Sequence, residues 1–489
     1  MNPPATNGPS MTGSARLALV TGATGYVGGQ VVQRLLDDGW RVRVLSRSAD
    51  SARSSDWGNR VVADGAAQAG EVEVVEGDAG SRDDVAEALA DVDVAWYLLH
   101  SMGDQDGFAD AEKEMASTFA QEAKRAGVSR LVYLGGLHPE GELSEHLASR
   151  VAVGDALLSS GVPTAALQAG VVIGDGSSSF QMLRHLAERL PGAVAPRWIR
   201  NHIQPIAIDD AVHYLVGAAD LPPEVNRTFD IGGPEAMQYA EMMDEYAKAV
   251  GLRGRLLATA PVTTPGLAAR WIGLVTPIKS TLAKPLIGSL QHDTVVHERD
   301  LDDYLGQPDG GPTPFADAVR AAVEGQDTRR WLRTIAATSA AVTATAVVGS
   351  LGTSPDSAWY RSLSKPSFQP PGWVFPIAWT ALYADIAVVS AISLADLAEL
   401  ERTDERRKYV AALATNLALN AAWSQIFFRG HRLTAAQIEA FVLALSSADL
   451  VRRSAKISPE KGVALAPYAA WTAFATVLSS ALRQMNPRS

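Results

Sequence analysis

The chain has 489 residues, a net charge of −11 and no cysteine, which excludes disulfides, thiolate metal sites and a cysteine nucleophile. That length exceeds what one hydrophobic core supports and predicts two or three domains. Charge is spread unevenly: residues 1–328 carry 26 Lys+Arg against 44 Asp+Glu, a net of −18, whereas residues 329–489 carry 17 against 10, a net of +7. An acidic front half argues against a nucleic-acid partner, and a basic, apolar back half suits an anionic lipid bilayer.

Residues 1–14, rich in Pro, Asn, Gly, Ser and Thr, lack the basic start and apolar core of a signal peptide and read as a disordered tail. Arg16–Val20 is then a short apolar strand running into Thr21-Gly-Ala-Thr-Gly-Tyr-Val-Gly28, and Tyr26–Asp38 has helical spacing of its apolar residues. Gly39 closes that helix and Arg41–Leu45 is the next strand. Glycines at a strand-to-helix turn let a pyrophosphate sit on the helix N-terminus, so Gly22, Thr24, Gly25, Tyr26, Val27 and Gly28 are candidate cofactor-binding residues. The second strand ends in Leu45-Ser-Arg-Ser48 with no acid at its tip to hold a ribose 2′-hydroxyl. Arg47 offers a planar cation for a 2′-phosphate instead, which favours NADP(H) over NAD(H). The competing reading of Arg47 is a solvent-facing arginine near Asp50.

Further strands are expected at Val72–Asp78, Val92–His100 and Arg130–Gly135, with a helix over Ala109–Ala126. Asp78, Ala79 and His100, at strand ends, join the cofactor candidates, Asp78 as an acceptor for an adenine amino group. Alternating strands and helices predict an α/β doubly wound Rossmann domain with a parallel sheet.

The fingerprint Thr21–Gly28, the Gly77-Asp78 pair, Gln204-Pro-Ile-Ala-Ile-Asp-Asp210 and Phe229-Asp-Ile-Gly-Gly-Pro-Glu235 together resemble the atypical short-chain dehydrogenase/reductases. The likeness is to the NmrA-like and complex-I-subunit-like branch and covers residues 15–325, the NAD(P)-binding domain with its C-terminal extension. Active members carry a serine after the fifth strand and a Tyr-x-x-x-Lys on the next helix. Here the strand runs into Gly135-Gly-Leu-His138, and the helix offers His146 and Arg150 at the tyrosine and lysine spacing. Two readings stand side by side: His146 as general acid with Arg150 on the nicotinamide ribose, or a degenerate site that binds cofactor without turnover. Pro261–Leu290 is apolar but interrupted by Pro and Gly, too broken to span a bilayer; it either covers a cleft or lies against the membrane.

After a Gly/Pro-rich linker at 306–314 and a short helix to Glu324, five apolar segments follow: Trp331–Gly349, Trp373–Leu394, Tyr409–Phe428, Ala435–Leu450 and Val463–Leu482. Most approach the roughly 20 residues a bilayer needs, and the fourth is short. With the N-terminus inside, the inner segments hold eleven Lys and Arg and the outer segments six. That bias predicts an all-α five-helix transmembrane bundle over 329–489. The chain is thus expected to be a multi-pass protein of a bacterial-type inner (plasma) membrane, its nucleotide domain cytoplasmic.

Within the bundle, Trp359-Tyr-x-x-Leu-x-Lys-Pro-Ser-Phe-x-Pro-Pro-x-Trp373-Val-Phe-Pro-x-x-Trp379-Thr-x-Leu-Tyr383 resembles the signature of the TspO/MBR family. These are the tryptophan-rich sensory proteins, relatives of the translocator protein. Leu419-Asn-x-x-Trp-Ser-x-x-Phe-Phe428 and Ala466-Pro-Tyr-x-x-Trp-x-x-Phe-Ala475 match later motifs in order. The resemblance implies a pocket for a porphyrin, another tetrapyrrole or some other apolar small molecule, and a homodimer through the membrane helices. Trp373, Trp379, Trp423 and Trp471 supply flat faces with one N–H each, and Asn420 an amide. Two features depart from the family: Leu478-Ser479 replaces Leu-Asn, and no basic residue follows Tyr468 within five positions, as sterol recognition requires. No histidine or cysteine is placed mid-membrane as an axial haem ligand.

Three functional readings follow. The membrane half senses or carries an apolar ligand beside a non-catalytic NADP(H) domain; or an active NADPH-dependent oxidoreductase acts on a ligand delivered by the membrane half; or the fusion merely anchors the front domain.

Overall fold

Residues 15–63, 66–99, 108–139, 143–260 and 265–487 are described by the computed structural model; the expected tail 1–14 and His100 lie outside them. Two compact units emerge. The first comprises Met1–Leu183, Val194–Val262 and Pro285–Glu324, the second Arg184–Ala193, Thr263–Lys284 and Gly325–Ser489.

The first unit is built on seven parallel strands: β1 (Leu17–Thr21), β2 (Arg41–Ser46), β3 (Val72–Glu76), β4 (Val94–Tyr97), β5 (Arg130–Gly136), β6 (Thr164–Ala169) and β7 (Arg227–Ile231). Their order is β7-β6-β5-β4-β1-β2-β3, the doubly wound arrangement. The strands read as continuous apolar runs because helices cover both faces: β1 is buried throughout. Helix α1 (Tyr26–Asp37) packs Val31, Val32, Leu35 and Leu36 on one side of the sheet, where Trp40 meets Trp96 edge to face at 5.6 Å. On the other side, α2 (Phe108–Ala126) and α3 (Glu145–Leu158) bury Phe119, Val153 and Leu157. Strand order reverses between β1 and β4. Thr21 Oγ1 donates to the Trp96 carbonyl at 3.1 Å and accepts from the Leu98 N–H at 3.3 Å, so the two strand ends that flank this switch point are tied together.

The second unit holds five long helices: α7 (Arg330–Gly352), α8 (Val374–Glu399), α9 (Thr403–Ser424), α10 (Leu433–Ala455) and α11 (Pro459–Met485). Four are long and apolar enough to cross a membrane; α9, which opens Thr403-Asp-Glu-Arg-Arg-Lys408, falls short by composition. Helices α7, α10 and α11 extend beyond the expected segments at both ends, whereas α8 starts one residue late and runs on to Glu399, and α9 starts six residues early and stops at Ser424, four short of the expected end. The fourth segment, expected to be short, is 23 residues long. Asp449 pairs with Arg452 and Arg453 one turn on, which carries that helix past the apolar stretch. Two stretches from the front half fold with this unit: the end of α4 (Ser178–Arg189) and helix α5 (Pro265–Val275) with the start of α6 (Ser280–Ser289). Most of the interrupted apolar stretch at 261–290 therefore folds with the helical bundle; residues 261–264 of it lie outside the described set.

Candidate functional site

The turn between β1 and α1 is tight enough that its glycines are obligatory. Gly22 has φ +71°, and a Cβ there would lie 2.4 Å from the Leu98 carbonyl oxygen. A Cβ on Gly28 would lie 2.2 Å from the Gly22 carbonyl oxygen, so that residue lets α1 start directly against the turn. Gly25 caps α1 with extended backbone, and neither a side-chain cap nor an acidic residue occupies the first turn. The first N–H groups of α1 thus face outward with a positive helix end behind them, a setting that fits a pyrophosphate. Thr24 and Gly25 are exposed at this rim, and Val27 is half-buried.

Tyr26 turns away from that role. Its ring lies in a slot where a Cβ on Gly174 would be 2.0 Å from its hydroxyl and one on Gly176 2.3 Å from the ring. Burial, and then the Asp175 carboxylate, push its phenol up. It fastens α1 to the 174–176 turn.

At the tip of β2, Arg47 is exposed and makes no ion pair among the described residues; the neighbouring Asp50 is 3.4 Å from Arg53 instead. Beside it at the end of β3, Asp78 Oδ1 accepts from the Gly80 N–H at 2.8 Å, and Ala79 is half-buried. Asp84, absent from the sequence reading, shapes this turn. Its Oδ2 accepts from the Asp78 N–H at 2.7 Å, and Gly77 makes room for it.

The candidate catalytic pair behaves differently from an acid and its charge partner. Burial, followed by the Arg150 charge, lowers His146 to about 4, so the imidazole is neutral at physiological pH. Arg150 Nη2 donates to the Leu134 carbonyl at 2.8 Å, and its own carbonyl accepts from the Tyr133 hydroxyl at 3.1 Å. The arginine is thereby folded back onto β5.

In the second unit, a cavity of about 510 Å³ opens among the helices. Trp379, Trp423, Trp471 and Asn420 all line it, with Phe375, Tyr383, Phe427, Phe428 and Phe474. A π-helical turn, Gln425–Arg429, follows α9 and aims Phe427 at Trp423: the rings stack at 4.9 Å and 11°. Trp373 does not join them. It caps α8 and is 67 % exposed. The Asn420 amide is largely taken by the protein: Oδ1 accepts from the Tyr383 hydroxyl at 2.6 Å, and Nδ2 donates to the Tyr468 hydroxyl at 3.3 Å. Tyr468 in turn donates to Asn416 Oδ1 at 2.7 Å, and Asn416 Nδ2 to Ser447 Oγ at 3.1 Å. This chain satisfies polar groups that lipid cannot, and it holds Tyr468 fully buried, away from any lipid-facing role.

A second polar node escaped the sequence reading. Asp396 of α8 accepts from Arg189 Nη1 at 2.6 Å, and its other oxygen lies 2.8 Å from Lys461 Nζ. Lys461 also donates to the carbonyls of Gly273 and Thr276 at 3.0 and 3.2 Å, and Arg189 to that of Val275 at 2.7 Å. Nearby, Glu399 accepts from Arg184 at 3.2 Å and lies 2.8 Å from Arg330. Lys461, counted in the sequence as one of the inner cations, is instead neutralised and buried; the excess of inner over outer cations survives without it.

Comparison with known proteins matches residues 337–485 to the TspO/MBR family and residues 22–153 to an NAD(P)H-binding family. Protein CrtK of Rhodobacter capsulatus is 34 % identical over 131 residues, 27 % of this chain and 79 % of that protein. The tryptophan-rich sensory protein of Cereibacter sphaeroides is 33 % identical over 147 residues, 30 % of this chain and 87 % of that protein. The human translocator protein is 31 % identical over 121 residues, 25 % and 70 % respectively. Among solved structures, Citrobacter sp. triphenylmethane reductase covers 63 % of this chain and 99 % of its own at 18 % identity and a TM-score of 0.49, a likeness too low to bear on chemistry.

Proposed function

This chain belongs to the TspO/MBR family, and from that premise we propose that it is a membrane-held sensor: its helical bundle binds a porphyrin-like or similarly flat apolar ligand, and its front domain binds NADP(H) without turnover. The observation that carries the reading is the aromatic cavity of about 510 Å³, within the size range of small-molecule sites, with three tryptophans and the amides of Gln369 and Asn420 on its lining.

For the front domain, the glycine cradle and the uncapped first turn of α1 support dinucleotide binding, and the exposed Arg47 supports a preference for the 2′-phosphate. NADP(H), when bound, supplies a hydride. The residues at the usual proton-transfer positions are poorly suited to assist it: Gly135 and Gly136 end β5, His146 stays neutral, and Arg150 is bound to a backbone carbonyl. Arg184–Ala193 and Thr263–Lys284, which come from the front half of the chain and fold with the helices, support communication between cofactor and ligand occupancy. The homodimer and the cytoplasmic placement of the front domain belong to the same reading.

The test follows nicotinamide absorbance and fluorescence of the full chain in detergent with NADPH and protoporphyrin IX. Binding of both with no loss of reduced cofactor is expected. Sustained oxidation that Arg150→Ala abolishes would make the chain an active oxidoreductase.

A further inference from the structure

A second cavity in the bundle has a different chemistry. It is a groove of about 700 Å³ between α7, α8 and α9, with Arg330, Arg333, Arg406 and Asp327 among its lining residues. The rest of its lining is small or apolar, including Ala337, Ala341, Leu394, Val410, Ala414 and Leu417. On α7 the lining positions 330, 333, 334, 337, 338 and 341 make one stripe at helical spacing, and 406, 410, 413, 414 and 417 make another on α9. Each stripe carries arginine near its start, after Thr403 on α9, and continues in small or apolar residues, with Thr334 and Thr338 among those of α7. From Arg330 to Ala341, or from Arg406 to Leu417, is about 16 Å at 1.5 Å per residue, close to half of a roughly 30 Å hydrocarbon core. Set in a bilayer with its arginine end at the headgroups, the groove would be one leaflet deep.

The charges there are not balanced from within. Asp327 is shared, bonded to Arg333 and 3.9 Å from Arg330, while Glu399 divides itself between Arg330 and Arg184. Arg406 makes no ion pair among the described residues, and the Arg333 side chain is 68 % exposed. Other charges near the start of α9 pair locally, Arg402 with Glu405 at 2.5 Å and Arg407 with Asp404 at 4.0 Å. Glu399 holds Arg330 at 2.8 Å and Asp327 is bonded to Arg333, so Arg406 is the lining cation without an ion pair among the described residues, and the mouth stays net positive above an apolar slot.

We propose that this groove binds one anionic phospholipid, its phosphate on Arg333 and Arg406 and one acyl chain between α7 and α9. Charge selects this occupant. A second copy of the chain, related by two-fold symmetry, would bring its own net positive mouth against this one. A zwitterionic lipid fits the slot but adds no net charge, and each Lys or Arg near an anionic leaflet contributes on the order of 1 kcal/mol, about fivefold in binding.

The test reconstitutes the full chain in mixed micelles and measures phosphatidylglycerol against phosphatidylcholine retained by native mass spectrometry, with thermal stability as a second readout. Phosphatidylglycerol is expected to be retained preferentially and to raise the melting temperature. Arg333→Gln with Arg406→Gln should cut that preference by at least about fivefold while melting in phosphatidylcholine alone stays close to the parent. Equal retention of the two lipids, or a preference that survives the double substitution, overturns the proposal. So does an equal stabilisation by inorganic phosphate, which has no acyl chain. The chain has no cysteine, so Ala341→Cys gives a unique thiol in the groove; disulfide-linked dimers forming through it in vesicles would assign the groove to a second copy instead.

Discussion

Arg189 and Asp396 lie 207 positions apart in the chain, yet Nη1 of one donates to Oδ1 of the other at 2.6 Å, with side-chain exposures of 3 % and 0 %. Lys461, 1 % exposed, lies against the second carboxylate oxygen at 2.8 Å. Two cations thus share one anion, and the carbonyls of Val275, Gly273 and Thr276 accept from Arg189 Nη1 and Lys461 Nζ as well. Buried ion pairs of this kind add little over an apolar substitute, but losing one partner leaves the others stranded.

Asp396→Ala should therefore destabilise the protein by about 3–5 kcal/mol, leaving Arg189 and Lys461 buried without an anion. Adding Lys461→Met should recover part of that loss. Thermal unfolding of the single and double variants in detergent measures both, and the coupling term of the cycle separates the pair from the singles. Additive losses would mean that the node contributes no specific interaction.

The nucleotide site makes a sharper prediction. Gly28→Ala forces a Cβ to within 2.2 Å of the Gly22 carbonyl oxygen and should abolish NADPH binding while leaving porphyrin-type quenching intact. Arg47→Ala should narrow the preference for NADPH over NADH by about tenfold or more, the scale of a lost hydrogen bond to a charged group. Titrations of cofactor fluorescence on the full chain give both numbers.

In the helical cavity, Trp379→Ala, Trp423→Ala and Trp471→Ala should each weaken protoporphyrin IX binding about two- to tenfold, the scale of an aromatic contact. Trp373→Ala should leave it unchanged, because that ring is exposed outside the cavity. Equal effects at all four positions would point to surface adsorption rather than to a defined pocket.

His146 carries a pH dependence with a definite sign. Its ordinary value is 6.5 and burial lowers it to about 4 in the folded protein, so between these the unfolded chain holds a proton that the folded chain lacks. The stabilisation is complete above about pH 6.5 and is lost as the pH falls toward 4, by at most about 3 kcal/mol. His146→Gln should flatten that part of the profile in melting curves compared with the parent. The same neutrality predicts that NADPH binding at pH 7 is indifferent to this substitution.

Much of this was legible in the sequence, and the exceptions share a cause. Gly22, Gly25 and Gly28 could be recognised because a tight turn leaves a local imprint, with a strand before and a helix after. Trp379, Trp423 and Trp471 could be recognised because a pocket lined by helices draws on fixed spacings. Trp373 looked equivalent in the motif and differs because it precedes the first turn of α8 and stays exposed. Asp396 and Lys461 read as ordinary helix-end charges. Nothing local marks them as partners of Arg189, since the pairing arises only when 184–193 folds with the helices. His146 kept its spacing from Arg150, but burial, which spacing does not encode, removes its proton.

The central claim is that cofactor and membrane ligand report on one another, and the most direct test is a tryptophan-quenching titration of the detergent-solubilised chain with protoporphyrin IX, with and without saturating NADPH. A coupling of even about 1 kcal/mol changes the affinity roughly fivefold. The account predicts a shift of that order, with the reciprocal shift in NADPH affinity when protoporphyrin IX is saturating. Identical protoporphyrin curves, with NADPH independently shown to be bound, would contradict it and leave two separate functions on one tether.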